Sequence, residues 1–167
     1  MNKTISETDA IRSLSLYREA IRSIDDITGA LIRREFEEFT ERAIANLPLS
    51  SNAVDGEYTS EERIAYEQAR QMLVESIEIN PYFPASHFAL ANANLELNGD
   101  DQSALAGYTE SLRLDPNDGD VLCVKIWHLI RLGELQKARS ELGNLEQIGH
   151  RHYHNLNAEL SELESAG

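Results

Sequence analysis

The phrase ESIEINP at residues 75–81 returns as ESLRLDP at residues 110–116, thirty-five positions further on. The two match in order: an acid, Ser, a branched apolar residue, a charge, a branched apolar residue, Asn or Asp, and Pro. A period of that size marks supersecondary units that cannot bury an apolar face singly and stack to do so. Other landmarks keep the spacing. Ala69, Ala104 and Ala138 lie 35 and 34 residues apart, and Gly99 and Gly133 lie 34 apart. No run of alternating β-branched residues bounded by turns survives inspection, whereas apolar residues step by three and four throughout. The expected fold class is therefore all-α.

Punctuation places the helices. Ser6-Glu7-Thr8-Asp9 reads as a capped start with acids at the positive end of a helix dipole. Ala10, Leu14, Tyr17, Ile21, Ile24, Thr28 and Leu31 then follow a heptad rhythm, and beyond them the stripe moves to Ile32, Phe36, Phe39, Ala43 and Leu47. Gly29 sits at that change of phase, so residues 6–47 form either one bent helix or two. PLSSNAVDGEY, residues 48–58, reads as a linker. Thr59 to Glu62 spells a capping box, and the helix it opens stops at Asn80-Pro81. Pro84 opens a helix that closes at Asn98-Gly99. Asp100 or Asp101 caps the next, to Leu114, and Gly119 to Leu132 is another, closed by Gly133. Glu134 to about Ile148 is its return, and Arg151 to Ser165 is the last helix. The expected organisation is one domain over residues 1–167, with repeat helices at 59–148 and a capping helix at 150–165.

These landmarks resemble the tetratricopeptide repeat, a 34-residue helical hairpin. Residues 85–118 match its pattern at Phe88, Ala91, Leu95, Gly99, Ala104, Tyr108, Ser111 and Pro116, and residues 119–148 match at Leu122, Ile126, Leu129, Gly133, Ala138, Leu142 and Leu145. Asn92 stands where the family usually has Gly, and Lys125 where it usually has Leu. An earlier unit keeps only its second helix (Ala69, Leu73, Ser76, Pro81), whose partner is expected from residues 30–47. The resemblance implies a helical-hairpin solenoid whose first helices line a concave groove that holds a peptide or helix of a partner protein. Groove positions would be Ala89, Ala93 and Glu96 in one repeat and Cys123, Trp127 and Ile130 in the next, with Trp127 as the anchor. The alternative is a groove filled by the protein's own terminal helix, with Trp127 buried. Asn92 and Asn94 come without the lysines of the family's carboxylate-gripping variants, so that specificity is not carried over.

Charge narrows the partners. With 15 basic and 29 acidic residues the formal charge is −14, which disfavours nucleic acid and anionic membrane surfaces. A single cysteine, Cys123, fits a reducing compartment, and MNKTISETDA holds no apolar run of signal-peptide length. A cytoplasmic location is expected. The seam Leu14, Tyr17, Ile21, Ile24 and Leu31 serves either as a cap on the repeats or as a homodimer contact. GHRHYHNL places His150 and His154 four apart, which on a helix is a weak candidate metal pair beside the simpler reading of a solvated cluster. No phosphate loop, metalloprotease helix or nucleophile turn is present, so no enzyme and no cofactor is expected. An adaptor or scaffold is the leading expectation. Size, acidity and tandem units also resemble type III secretion chaperones of translocator proteins, and a structural homo-oligomer built on the seam is the third reading.

Overall fold

The computed structural model describes residues 5–44 and 58–166, with side chains described for 5–33 and 58–165. The described residues form seven helices and no strand: α1 (Glu7–Ile44), α2 (Ser60–Ile79), α3 (Pro84–Asn98), α4 (Asp101–Leu114), α5 (Gly119–Arg131), α6 (Leu135–Ile148) and α7 (Tyr153–Ala166). The all-α expectation holds. Of the two possibilities for residues 6–47, one helix is observed, with Gly29 in its interior. Apart from Tyr58, the expected linker at 48–58 lies outside the described residues.

Caps fall where their chemistry puts them. The Ser6 hydroxyl accepts the Asp9 amide at 3.1 Å. Thr59 and Glu62 exchange bonds of 3.2 and 2.7 Å in a complete capping box. Asp100, not Asp101, caps α4 by accepting the Ser103 amide at 3.0 Å, and Asp118 caps α5 in the same way. Gly99 and Gly133 close α3 and α5 at φ +62° and +75°, a left-handed turn that side chains with a Cβ rarely adopt.

The chain divides into two compact units, Met1–Asn80 and Pro81–Gly167. In the first, α1 and α2 pack antiparallel. The Ser13 hydroxyl donates to the Ser76 carbonyl at 2.9 Å, and the Ser76 hydroxyl donates to the Ser13 carbonyl at 3.0 Å. This register corrects the expectation that residues 30–47 partner α2. The start of α1 lies against the end of α2, so the 20 residues of α2 run back along residues 10–29, and α1 continues past the start of α2. The buried line of α1 is Ser13, Ala20, Ile27 and Leu31. Of the seam expected from apolar bulk, Leu31 is buried but Leu14, Tyr17, Ile21 and Ile24 are half-buried, turned about 40–100° around the helix from that line. Small residues win the centre because they let two backbones approach, and Ala69, opposite Ala20 in this register, is fully buried as well.

The second unit repeats the device. The Ser111 hydroxyl of α4 donates to the Pro84 carbonyl of α3 at 3.0 Å, so Pro84 stands to Ser111 as Ser13 stands to Ser76. Seven residues beyond each accepting carbonyl comes a buried alanine, Ala20 or Ala91, and four residues beyond comes an aromatic, Tyr17 or Phe88. The α3/α4 core joins Ala91, Ala104, Tyr108 and Val121, with Phe88 and Leu95 packed against it. A second core gathers Leu122, Ile126, Leu129 and Ile130 of α5 with Ala138, Leu142 and Leu145 of α6 and Leu156 and Leu160 of α7. Leu105 and Leu112 of α4 touch both cores and join the two hairpins. Arg139 of α6 clasps α7 through Asn157 (2.6 Å), Ser161 (3.1 Å) and Glu164 (2.5 Å).

Closeness within α3/α4 is measured at Gly107, where an added Cβ would lie 2.6 Å from the Cβ of Ala91 and 3.2 Å from the His87 carbonyl oxygen. At Gly143, in the middle of α6, it would meet nothing within 4 Å. The same substitution thus has opposite effects at two helical glycines. Gly107→Ala should destabilise by about 1–3 kcal/mol through overpacking. Gly143→Ala should stabilise by about 0.5–1 kcal/mol through helix propensity. Urea denaturation of the two variants beside wild type checks both signs.

Candidate functional site

The residues expected to line one groove separate into two groups. Ala89, Ala93 and Ile130 are buried, whereas Glu96 and Trp127 are exposed and Cys123 is half-buried. Ala93 is wholly inaccessible and Ile130 belongs to the core shared with α6 and α7, so neither is a surface position. The reason is that α5 is covered on two sides, which turns Ile130 inward. Cys123 packs at the edge of that core, and its thiol is pushed up from its ordinary pKa by burial and by Asp120, with Arg151 opposing. That makes it a poor nucleophile.

Within its own unit Trp127 remains 47% exposed. Its ring is held from behind. The His128 imidazole meets it edge-on at 5.0 Å between centroids, and the Arg131 guanidinium lies over it at 5.4 Å. Arg131 also pairs with Asp101, the carboxylate left free when Asp100 took the cap. The indole is thus an exposed aromatic surface with a polar contact on its edge and a cation over its face.

Behind it lies a polar cluster that joins three helices. His128, 3% exposed, places Nδ1 3.3 Å from Asp101 Oδ1 and Nε2 3.4 Å from the Tyr108 hydroxyl. Tyr108 is fully buried and donates to Asn92 Oδ1 on α3 at 2.7 Å. Burial holds the phenol's pKa up at about 12, with Arg131 lowering it and Asp101 raising it. His128 is held below its ordinary range by burial and then by Arg131, against the opposing pull of Asp101. Sequence reasoning passed over this cluster. Its signals were Asn92 at a position usually taken by Gly, and a histidine set in the apolar run of α5.

The other departure, Lys125, is answered across the α5/α6 hairpin by Glu141 at 2.6 Å. This pair lies between two open clefts on the side of α4 and α6. One, of about 580 Å³, is lined by Leu105, Thr109, Leu129 and Glu134, and the other, of about 650 Å³, by Leu112, Arg113, Asn117 and Ile148. None of the expected groove residues lines either cleft.

His150 and His154, the weak candidate metal pair, do not share a helix. Gly149 ends α6, and α7 begins only at Tyr153, so His150 lies in the intervening turn while His154 is helical. His150 instead sits over Gly119 and places Nε2 3.1 Å from Asp120 Oδ1. His154 contacts the Tyr153 ring. Among the described residues no group of three or more His, Cys, Asp or Glu is placed to hold a metal, and no helix is long and apolar enough to cross a membrane.

No protein-family model and no curated protein matches the chain.

Within the cluster the Tyr108 hydroxyl is the hub. Tyr108→Phe should cost about 1–3 kcal/mol in urea denaturation, because it leaves Asn92 Oδ1 without its donor in a partly buried site. Adding Asn92→Ala to that variant should cost markedly less than it does in wild type, since the unsatisfied acceptor leaves with it.

Proposed function

We propose that this protein is a non-catalytic interaction module of tetratricopeptide design, which holds a peptide or helical segment of a partner protein on the α5 face of its second unit. The carrying observation is Trp127, a half-exposed indole braced by His128 and Arg131. Binding energy concentrates in such aromatics because they offer large area at little entropic cost, and a braced ring has already lost the freedom that docking would remove. Cys123 and Glu96 are the remaining accessible members of the expected groove, whereas Ala89, Ala93 and Ile130 support it from within. The repeated serine-to-carbonyl bond, the matched alanines and the two left-handed glycines support the hairpin-repeat reading. The formal charge of −14 favours a partner segment that is neutral or basic.

The test is affinity capture from the source organism's lysate with wild type, Trp127→Ala and Trp127→Phe, read by mass spectrometry, after circular dichroism confirms equal helix content. A protein retained by wild type should be lost with Ala, by thirty-fold or more in affinity for a hot spot worth at least about 2 kcal/mol, and partly kept with Phe. Equal retention by all three would remove Trp127 from the interface.

A further inference from the structure

The Asp101 carboxylate stands before two cations in waiting. Arg131 pairs with it, and His128 Nδ1 lies 3.3 Å from the same oxygen. Tyr108 gives its one hydroxyl proton to Asn92, so it offers Nε2 of His128 only a lone pair, at 3.4 Å, while Nδ1 faces the Asp101 carboxylate at 3.3 Å. The single proton of the neutral ring thus has an acceptor on either side, and an Arg131 nitrogen stands 3.4 Å from Nδ1. In this arrangement the cluster holds one negative and one positive charge.

A second proton makes both ring nitrogens donors, so that a charged ring points Nδ1–H at Asp101 and stands 3.4 Å from Arg131. Two like charges at that distance compete for the one carboxylate. The mobility of the two side chains decides which gives way. The His128 side chain is 4% exposed and wedged between Tyr108 and Trp127, whereas that of Arg131 is 45% exposed and has water to move into.

We infer that the cluster is a proton-operated latch: on protonation His128 takes Asp101 for itself, and Arg131 leaves both the carboxylate and the face of Trp127. The result is a change in the chemistry of the exposed α5 surface with no change of fold. The charges that face the ring are Asp101 from α4 and Arg131 from α5 itself, and Asn92 of α3 reaches it through the Tyr108 hydroxyl of α4.

The direction of the pH response is fixed by burial. His128 is held below its ordinary value, so the unfolded chain takes up this proton first as pH falls. The stability contributed by the neutral ring is complete above the ordinary histidine value of about 6.5 and is lost as pH drops through the folded value. The latch is closed at neutral pH and opens on acidification. The inference concerns the free protein and stands apart from any partner.

Trp127 is the sole tryptophan, so its indole N–H resonance reports the latch without labelling. Titration of wild type from neutral to mildly acidic pH by NMR should show the His128 ring and the Trp127 indole moving together, reversibly, with a common midpoint below about 6.5 and unchanged helical circular dichroism. His128→Gln should abolish the Trp127 transition, and His150→Gln should leave it intact. Asp101→Asn, a second route should His128→Gln fold poorly, should uncouple the two signals, because Arg131 then has no carboxylate to surrender. A Trp127 transition that persists in His128→Gln, a His128 titration that leaves Trp127 unmoved, or protonation accompanied by loss of helicity would each overturn the latch.

Discussion

Close approach of paired helices at small residues is the constraint on which the described structure rests. Where Ser76 and Ser111 reach across to the backbone carbonyls of Ser13 and Pro84, two helices lie near enough for a one-carbon side chain to bridge them. Alanine at positions 20, 69, 91 and 104, all essentially inaccessible, and Gly107 against Ala91 keep that distance short. Each polar hydroxyl in these seams is satisfied by a carbonyl, so the seams carry no unpaired donor. Larger side chains such as Leu73 and Tyr108 then fill the space on either side of the contact, where there is volume for them.

The third hairpin departs from this scheme, and its departures are compensated. Lys125 and Glu141 occupy the ground corresponding to Ala91 and Gly107, and they meet each other as a partly buried ion pair. Leucine 145 replaces the bonded serine and joins an apolar core. That core is completed by α7, through Leu156 and Leu160, with Arg139 fixing the final helix from outside. The apolar face that α5 and α6 present on this side is thereby covered by α7. The cover it provides is also what draws Ile130 inward and leaves Trp127 as the aromatic residue of α5 that still faces water.

Polar specificity is concentrated at one place, the junction of α3, α4 and α5. Asn92, Tyr108, His128, Asp101 and Arg131 form a continuous chain in which each member satisfies or opposes the next. In a low-dielectric setting such a chain fixes geometry when complete and is costly when broken, which makes it sensitive to a single proton. Its position beneath Trp127 connects a buried protonation event to the exposed surface on which the proposed recognition depends.

Most helix boundaries were legible in the sequence because they depend on local chemistry: Pro81 and Pro116 lack an amide proton, Gly99 and Gly133 accept positive φ, and Thr59 and Glu62 reach one another within a single turn; whether residues 6–47 form one helix or two, and which of Asp100 and Asp101 caps α4, were left open. The spacing of 35 between Ser76 and Ser111 was legible too, and both serines bond a carbonyl of the preceding helix. The partner of α2 was not legible, because the choice between residues 10–29 and 30–47 turns on which face fits closest, and the small residues that decide fit carry little hydrophobic signal. Nor could the sequence separate Trp127 from Ile130, three positions apart on one helix, until α6 and α7 were in place. Composition and period determined that this chain is helical and built of hairpins. Tertiary packing alone decided which side of each helix is closed, since burial belongs to pairs of surfaces and a sequence specifies only one member of each pair at a time.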